Sequence, residues 1–286
     1  MNKMTKLGVS ALCGSLAAVS AANAGALSVS GGIDMTWVSF DDANTGNPIG
    51  IGSNYTLSGS GEMDNGWTVG LSIAATNQMA YSNTNVSVGI PALGDFRISH
   101  GVSGSGIDRM DDKTPNVWEE AYGTGLSTGI NTVGGVSGGT NIEWTPNMLP
   151  DGITARVAWS PNAAGSKSND KGSSGASANN GSGYDVTLEI GEAITGMSGL
   201  NIYGGVASVS SQGLNNDGNR EESTVGATYA VGGFTVGYQW SEEDLGISSA
   251  EQAYENNGYG ITFAINDDLS VGYNHYESKQ TNTTNV

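Results

Sequence analysis

The residues best suited to chemistry are a group of carboxylates in one polar stretch, residues 101–138. This group consists of Asp108, Asp111, Asp112, Glu119 and Glu120. Closely spaced carboxylates concentrate cations in the solution beside them. They can also bind Ca²⁺, although their spacing here does not match an EF-hand loop. A third interpretation is an ordinary solvated loop, because acidic runs are usually exposed.

The same stretch contains a signal for a short helix. Thr114-Pro115-Asn116 provides an N-cap followed by proline at the first helical position. Gly123 offers a stop signal. The sequence therefore predicts one or two helical turns over residues 115–122, with Val117 and Trp118 packed against the neighbouring structure.

Few residues elsewhere have the chemistry of a catalytic site. His100 and His275 are the only histidines, and both fall at the ends of predicted strands. Cys13 is the only cysteine and lies near the N-terminus, so no disulfide or thiolate site is expected. No glycine-rich phosphate loop leads from a strand into a helix. We expect neither an enzyme nor a resident cofactor, with Ca²⁺ kept as the one alternative.

The charge balance narrows the range of partners. The chain has 10 basic and 28 acidic residues, which gives a formal net charge of −18. A protein this acidic is a poor match for a polyanion, so we expect no nucleic-acid partner.

The N-terminus has the features of an export signal. Lys3 and Lys6 precede an apolar run, and Ala22-Asn23-Ala24 forms an A-x-A cleavage site. The sequence predicts Sec export to the periplasm with residues 1–24 removed, and a single domain over residues 25–286. Loss of the two lysines leaves eight basic residues against 28 acidic ones, a formal charge of −20.

The elements that position the acidic stretch are strands. From residue 26 onward, apolar and polar residues alternate strictly: Leu27, Val29 and Ile33 fall on one face, and Ser28, Ser30 and Asp34 on the other. Alternation of this kind predicts a strand with two different environments. The chain repeats it thirteen times, with predicted starts near 26, 53, 67, 85, 96, 140, 153, 184, 200, 222, 234, 258 and 269.

The predicted connections alternate between short and long. Short ones fall at 63–66, 91–95, 145–152, 191–199, 231–233 and 266–268. Long polar ones fall near 41–52, 75–84, 101–138, 160–182, 210–221 and 241–257. Short turns at one rim and long loops at the other are typical of transmembrane β-barrels. In such a barrel the apolar face contacts lipid and the polar face lines a wet lumen.

Aromatic residues mark both predicted rims. The long-loop set is Trp37, Tyr55, Trp159, Tyr184, Tyr238, Trp240, Tyr259 and Tyr273, and the short-turn set is Trp67, Phe96, Trp144, Phe234 and Phe263. Two aromatic girdles are expected where a bilayer meets water on each side. The alternative is that aromatic residues simply end strands, as they do in many β-proteins.

An antiparallel bacterial barrel has an even number of strands. Thirteen predicted strands, and a chain that stops in the polar segment 281–286, predict a C-terminally truncated barrel of the sixteen-stranded type. The expected fold class is therefore an all-β, antiparallel transmembrane β-barrel, present here in part.

These features resemble the general porins of Gram-negative bacteria, particularly the alphaproteobacterial type. The resemblance is carried by the opening strand LSVSGGIDMTW and by LGDFRISHG at 93–101, which leads into the longest loop. It implies that loop 101–138 folds inward and narrows a pore, with its carboxylates facing basic wall residues. By alternation Arg97 and Arg156 are the candidate wall cations, although ion pairing with Asp34, Glu62, Glu143 or Glu189 explains them equally well.

The expected function is passive diffusion of small hydrophilic solutes and ions across the outer membrane of a Gram-negative bacterium. The expected partners are outer-membrane lipid and, by the resemblance, two further copies of the chain in a homotrimer. Two alternatives stay open: a substrate-selective outer-membrane channel, and a secreted β-rich adhesin or surface protein.

Overall fold

The structure is a computed structural model. It describes residues 10–11, 26–37, 49–100, 104–117, 132–137, 139–163, 180–211, 218–246 and 250–284. Trp118, Glu119, Glu120 and most of the predicted export signal lie outside the described residues. Two compact units make up the chain, residues 1–88 and 89–286.

The first unit is an antiparallel sheet. Its strands are β1 (Ser10–Ala11), β2 (Ala26–Trp37), β3 (Ile49–Glu62), β4 (Thr68–Thr76) and most of β5 (Ala80–Ile90). A 3₁₀ helix, Asn77–Met79, joins β4 to β5. Strand β2 pairs with β3, and β3 pairs with β4, so that Leu57 lies opposite both Val29 and Ile73.

The second unit continues as an antiparallel meander. Its strands are β6 (Gly94–His100), β7 (Asn141–Thr145), β8 (Ile153–Ser160), β9 (Asn180–Ile190), β10 (Leu200–Ser211), β11 (Asn219–Val231), β12 (Phe234–Asp244), β13 (Ala250–Asn266) and β14 (Leu269–Thr284). Each strand from β6 to β13 pairs with the next one along the chain. A 3₁₀ helix (Gly106–Met110) and α1 (Glu192–Thr195) are the helices of this unit among the described residues.

In the part of the chain that the structure describes, no helix is both long enough and apolar enough to span a membrane.

The predicted antiparallel, all-β class and the thirteen predicted strands are confirmed by β2 to β14. The predicted short connections are also turns, and several rely on glycine. In the turn after β3, Gly66 has a φ of +79°, a conformation that only glycine adopts without strain. Gly196 ends α1 in the same left-handed region, at +68°.

Three predictions about strand ends are wrong. Most of the long loop predicted near 241–257 is strand, because β12 continues to Asp244 and β13 begins at Ala250. Residues 75–84 do not form a long loop, because β4 and β5 are separated only by the 3₁₀ helix Asn77–Met79. Polar residues at the start of β5 were mistaken for a loop although they pair within the sheet. Tyr55 and Tyr259 lie inside β3 and β13 rather than at their ends, since both strands begin earlier than their hydrophobic pattern indicates.

In a water-soluble sheet the apolar face is buried and the polar face is exposed. The second unit shows the reverse. On β9 the apolar side chains of Val186 and Leu188 are 40% and 43% exposed, whereas Asp185 and Thr187 are 0% and 1% exposed. Buried polar residues occupy the same face of the neighbouring strands, among them Glu143, Glu222, Thr224, Gln239, Ser241 and Glu243. At these positions the polar face is therefore covered by protein, and the apolar face is not.

We expect cysteine labelling to separate the two faces. Thr235 and Thr262 lie on the polar face of β12 and β13, next to Val236 and Ile261 on the apolar face. In intact membranes a water-soluble maleimide should label Thr235→Cys and Thr262→Cys but not Val236→Cys or Ile261→Cys. Equal labelling of both faces would contradict a membrane-facing apolar side, because lipid excludes the reagent. The single native cysteine, Cys13, lies in the predicted export signal.

Candidate functional site

The polar face of the second unit carries two stretches of the loop between β6 and β7. We call residues 104–117 the outgoing limb and residues 132–137 the return limb. Both limbs contact the wall strands mainly through main-chain atoms.

Asp185 on β9 binds both limbs at once. Its Oδ2 accepts hydrogen bonds from the backbone N–H groups of Ile107 and Val136, both at 3.1 Å. Gly106 and Gly135 precede these two residues, with φ values of +59° and +53°. A Cβ on either glycine would meet the Asp185 carboxylate. Both limbs therefore need glycine in a left-handed conformation to reach this one side chain.

A second wall carboxylate, Glu143 on β7, holds the outgoing limb. Its Oε2 accepts hydrogen bonds from the Gly106 N–H at 2.8 Å and from Arg109 Nε at 3.0 Å. The Glu143 side chain is almost completely buried. A buried carboxylate needs such partners, because its desolvation is otherwise expensive.

The return limb is held by a pair of residues on β11. Glu222 Oε2 accepts hydrogen bonds from the N–H groups of Gly134 at 3.1 Å and Gly135 at 2.5 Å. Arg220 donates to the carbonyl of Gly135 at 2.8 Å and lies 3.2 Å from Glu222 Oε1. Successive N–H groups that converge on one anion form a nest, the arrangement that backbone amides use to bind negative charge.

Apolar side chains add to this attachment. Ile107 and Val133, one from each limb, form a buried cluster with Ala207 on β10. Val136 forms a second cluster with Ala158, Ala163 and Val209. Burial is non-directional, so the hydrogen bonds to the wall carboxylates supply the directionality.

Glycines on β12, β13 and β14 leave space for the end of the outgoing limb, at Pro115 and Val117. At Gly237 on β12 a Cβ would lie 2.6 Å from Pro115, and at Gly272 on β14 it would lie 3.0 Å from Val117. A Cβ at Gly260 on β13 would meet the carbonyl oxygen of Pro115. In the structure these glycines form a contact surface for the loop.

Charged side chains surround a polar cavity of about 380 Å³ between the outgoing limb and the wall. Its lining includes Gly104, Asp108, Arg109, Asp111, Asp112, Lys113, Arg156 and Glu189. Glu189 accepts a hydrogen bond from Lys113 Nζ at 2.9 Å through Oε2, and one from Arg156 Nη1 at 2.6 Å through Oε1. Three of the predicted acidic residues and one predicted wall cation thus meet around a single cavity.

The predicted site residues differ in their surroundings. Asp108 accepts hydrogen bonds from the Gly104 N–H and, at 3.1 Å, from the Ser137 hydroxyl, so it ties the two limbs together. Asp112 is exposed. Arg97 donates to the Gly104 carbonyl at 3.3 Å and lies opposite Glu143 on β7. Glu119 and Glu120 lie outside the described residues.

The helix predicted over residues 115–122 falls only partly within the described residues. Residues 115–117 are not helical, and a 3₁₀ helix occupies Gly106–Met110. Pro115 lies against Gly237 and Gly260 on β12 and β13. Residues 118–122, the rest of the predicted helix, lie outside the described residues.

Sequence analysis missed the wall residues that hold the loop: Asp185, Glu222 and Arg220. Glu143 and Glu189 appeared only as alternative partners of the arginines. A signal was available, because each of these carboxylates is a charged residue at a polar-face position of a predicted strand. Among the described residues, no three acidic or histidine side chains are arranged to hold a metal ion, and the calcium site stays a hypothesis.

Aromatic side chains of the predicted girdles stack across neighbouring strands. Phe96 and Trp144 have ring centroids 6.1 Å apart, and those of Phe234 and Phe263 are 4.3 Å apart. Trp37, Trp159 and Tyr184 are exposed at 72%, 47% and 53%. Trp67 and Tyr259 are exposed as well, while Tyr55 and Trp240 are half-buried. The assignment to two girdles stays a prediction.

We expect Gly135→Ala to detach the return limb from the wall. A left-handed conformation costs a non-glycine residue ~1–2 kcal/mol, and the added Cβ would meet the Asp185 carboxylate. Hydrogen exchange at the Val136 amide should become faster. Gly191→Ala is the matched control, because Gly191 has a φ of −103° and its Cβ would meet only a carbonyl at 3.9 Å. Unchanged exchange at Val136 would show that Asp185 does not hold this limb.

We also expect the binding of the loop to depend on the ionisation of Asp108. Burial raises the pKa of the Asp108 carboxyl; hydrogen bonds from Gly104 and Ser137 oppose the shift, and the charges of Asp112 and Glu222 add to it. With a raised pKa, the bound loop takes up a proton more readily than the free loop. The contribution of Asp108 to loop binding therefore improves as pH falls through the raised pKa toward the ordinary value of 3.8.

Asp108→Asn tests this dependence. At neutral pH the variant should protect the amides of residues 104–110 from hydrogen exchange better than the wild type, because it removes a buried charge. As pH falls, the difference between the two proteins should disappear. A difference that stays constant over this range of pH would contradict the assignment.

Comparison with known proteins agrees with this architecture. A sequence profile of the family described as Gram-negative porin matches residues 8–286. No curated protein sequence matches the chain.

Solved structures show the same fold. A mutant of the Rh. blastica porin has a TM-score of 0.50 at 11% identity, covering 90% of this chain and 97% of the porin. OmpT of Vibrio cholerae without its loop L8 has a TM-score of 0.50 at 13% identity, covering 91% and 95%. An anion-selective porin from Comamonas acidovorans has a TM-score of 0.55 at 13% identity, covering 89% and 80%. Since the family profile matches nearly the whole chain, this protein belongs to the Gram-negative porin family and is an outer-membrane channel protein.

Proposed function

We propose that the protein forms a water-filled channel for passive diffusion of small hydrophilic solutes and ions, narrowed by the loop that folds onto its polar wall. The observation that supports this most directly is the attachment of both limbs to the polar face. Asp185, Glu143 and Glu222 hold the loop there through hydrogen bonds from five backbone N–H groups.

The exposed apolar face supports a position in lipid. Side chains such as Val186, Leu188 and Val236 are 40–43% exposed, and a water-soluble protein rarely leaves so continuous an apolar surface uncovered. The opposite face is polar, and polar groups of this kind are stable in a membrane protein where they contact water or protein. The two faces together fit a wall with lipid on one side and an aqueous lumen on the other.

The path of the outgoing limb supports a narrowing of that lumen. Gly104 contacts Arg97 on β6, whereas Val117 approaches Gly272 on β14. A segment that contacts both strands lies across the space beside the polar face and removes part of the cross-section open to solutes. Any solute on this side of the wall passes the side chains of the limb.

The charges around the cavity favour weak selectivity for cations. Four carboxylates (Asp108, Asp111, Asp112, Glu189) and three cations (Arg109, Lys113, Arg156) line it. Arg109 is already paired with Glu143, outside this set. The excess negative charge concentrates cations, but salt screens it within about 8–10 Å at physiological ionic strength. We therefore expect a preference that fades as salt is added.

Ion preference cannot be inferred from one porin to another when they share the fold at only 13% sequence identity. The Comamonas acidovorans porin is described as anion-selective, and the opposite preference proposed here is argued from the side chains of this chain alone. The formal net charge of −18 agrees with it.

The remaining expectations belong to the same proposal. Export through the Sec pathway follows from the N-terminal signal at residues 1–24. Assembly as a homotrimer follows from the family resemblance, and the small residues Gly31, Gly59 and Gly61 on β2 and β3 would allow close contact between walls. Sedimentation of the detergent-solubilised protein as a monomer would count against the trimer.

The selectivity is tested by removing two negative charges from the loop. Asp111→Asn with Asp112→Asn should shift the reversal potential in a salt gradient toward that of an anion-preferring pore, because both residues line the cavity. Asp108 is left in place, because its substitution would change the attachment of the loop as well as its charge.

The matched control is Asp267→Asn with Asp268→Asn, which removes the same charge from the exposed turn between β13 and β14. The control should leave the reversal potential near its wild-type value. Equal shifts in both double variants would mean that overall charge sets the preference and that the loop does not. An unchanged potential in both would overturn cation selectivity at this site.

A further inference from the structure

We propose that three short turns of the second unit form a docking surface for a cationic amphipathic segment of another protein in the periplasm. The turns are residues 91–95, 145–152 and 191–199, and we call them together the turn surface. The short turns of an outer-membrane barrel face the periplasm. The proposal therefore goes beyond the channel, and it does not depend on the loop that narrows the lumen.

The first two turns are joined by side-chain hydrogen bonds. Asn147 Nδ2 donates to the carbonyl of Pro91 at 2.8 Å, and Trp144 Nε1, beside the second turn, donates to the carbonyl of Leu93 at 2.9 Å. Both bonds run from a side chain of one connection to the backbone of the other. The two turns are therefore held side by side.

The third turn is joined to the second through the backbone. The Gly191 N–H donates to the carbonyl of Gly152 at 2.8 Å. Gly152 has a φ of +85°, a conformation that only glycine adopts without strain, and a Cβ there would lie 2.8 Å from the Cβ of Ala193. The three turns thus form one continuous surface that needs no ordering before it binds a partner.

Large apolar side chains project from all three turns. Leu93, Met148, Ile194 and Met197 are between 45% and 61% exposed. Residues that only connect two strands are mostly glycine, proline, asparagine, aspartate and serine, so these four side chains indicate a contact with a further molecule. The two methionines suit such a contact, because their flexible side chains adapt to different apolar shapes.

The charge of the turn surface identifies the partner. Asp95, Asp151 and Glu192 place one exposed carboxylate on each turn, and the three turns contain no lysine or arginine. Ionised carboxylates are costly in hydrocarbon, which argues against lipid as the occupant. A segment with apolar residues beside lysine or arginine matches both the apolar side chains and the carboxylates, whereas an acidic segment is repelled.

An amphipathic helix with a basic polar face is the simplest segment of this kind. Its apolar face would cover the four apolar side chains, and its cations would lie beside the three carboxylates. Exposed ion pairs contribute little one by one, so the contact is expected to be reversible.

Three short synthetic peptides with one helical pattern test the proposal. The first has lysine and leucine, the second glutamate and leucine, and the third lysine and serine. The protein is placed in lipid nanodiscs with an environment-sensitive fluorophore on Ser198→Cys, because Ser198 is exposed in the third turn. The lysine–leucine peptide should change the fluorescence at concentrations about tenfold lower than either of the others, since only it offers both kinds of contact.

A second label shows where the peptide binds. Asn219, at the start of β11, is exposed at the long-loop end of the sheet. A fluorophore on Asn219→Cys should respond much less than the one on Ser198→Cys. Equal responses at the two labels would mean that the peptide lies on the lipid, and would overturn the docking surface.

Removing the charges of the turn surface tests the choice of partner. Asp95→Asn, Asp151→Asn and Glu192→Gln together should weaken binding of the lysine–leucine peptide about tenfold, the sum of three exposed ion pairs. The control is Asp267→Asn with Asp268→Asn, in the turn between β13 and β14, which should leave the affinity unchanged.

Removing apolar side chains tests the other half of the contact. Met148→Ser with Met197→Ser should also weaken binding, although it changes no charge. Heat-modifiable mobility on a gel shows whether each variant is folded.

The outcomes distinguish this proposal from the channel. A protein that conducts in a planar bilayer, but binds the lysine–leucine and glutamate–leucine peptides equally, overturns the docking surface and leaves the channel standing. An unchanged affinity in the folded triple variant does the same. A protein that carries no current but binds the lysine–leucine peptide selectively at Ser198 overturns the channel and supports the docking surface.

Discussion

One carboxylate constrains the rest of the site. Asp185 projects from the middle of β9 and accepts backbone hydrogen bonds from Ile107 and Val136, residues on two limbs of the same loop. Both limbs reach it only through glycines with positive φ, Gly106 and Gly135. Without this contact, Glu143 and Glu222 would each hold one limb separately, and nothing on β9 would fix the distance between the limbs. The outgoing limb, which Asp185 holds at Ile107, supplies most of the residues that line the cavity.

The physical reason for this arrangement is that the sheet of the second unit exposes its apolar side chains and buries many of its polar ones. A wall that turns most of its apolar side chains outward presents mainly polar ones to the loop, with a few small apolar ones such as Ala158 and Ala207. Hydrogen bonds from backbone amides to carboxylates therefore add to hydrophobic burial in holding the loop. Such hydrogen bonds are strong where water is excluded, and a buried carboxylate oxygen without a donor destabilises the structure. This explains why Asp185 and Glu222, both nearly completely buried, each receive two N–H donors.

Local pattern predicts the strands well because each one depends on its own alternation. Thirteen strands and six short turns follow from that signal and from turn residues such as Gly66. The wrong predictions occur where contacts between distant segments of the chain determine the local structure. The 3₁₀ helix Gly106–Met110 forms against β9 and β10, strands far along the chain, and residues 115–117 are not helical where Pro115 packs on Gly237. The carboxylates of the candidate cavity were predictable as an acidic stretch. Their partners were not, since pairing Lys113 with Glu189 depends on the folded path of the loop.

Attachment through main-chain amides has a consequence for how this loop can change over time. Five of the loop residues held by Asp185, Glu143 and Glu222 contribute only their backbone N–H groups, and three of the five are glycines. The mounting of the loop is thus largely independent of the side chains at Asp111 and Asp112, which line the cavity. Substitutions at these lining positions can alter which solutes are favoured while the loop keeps its place. The groups that attach the loop to the wall are therefore different from the side chains that line the cavity. A few substitutions in the lining can change which solutes are favoured without moving the loop.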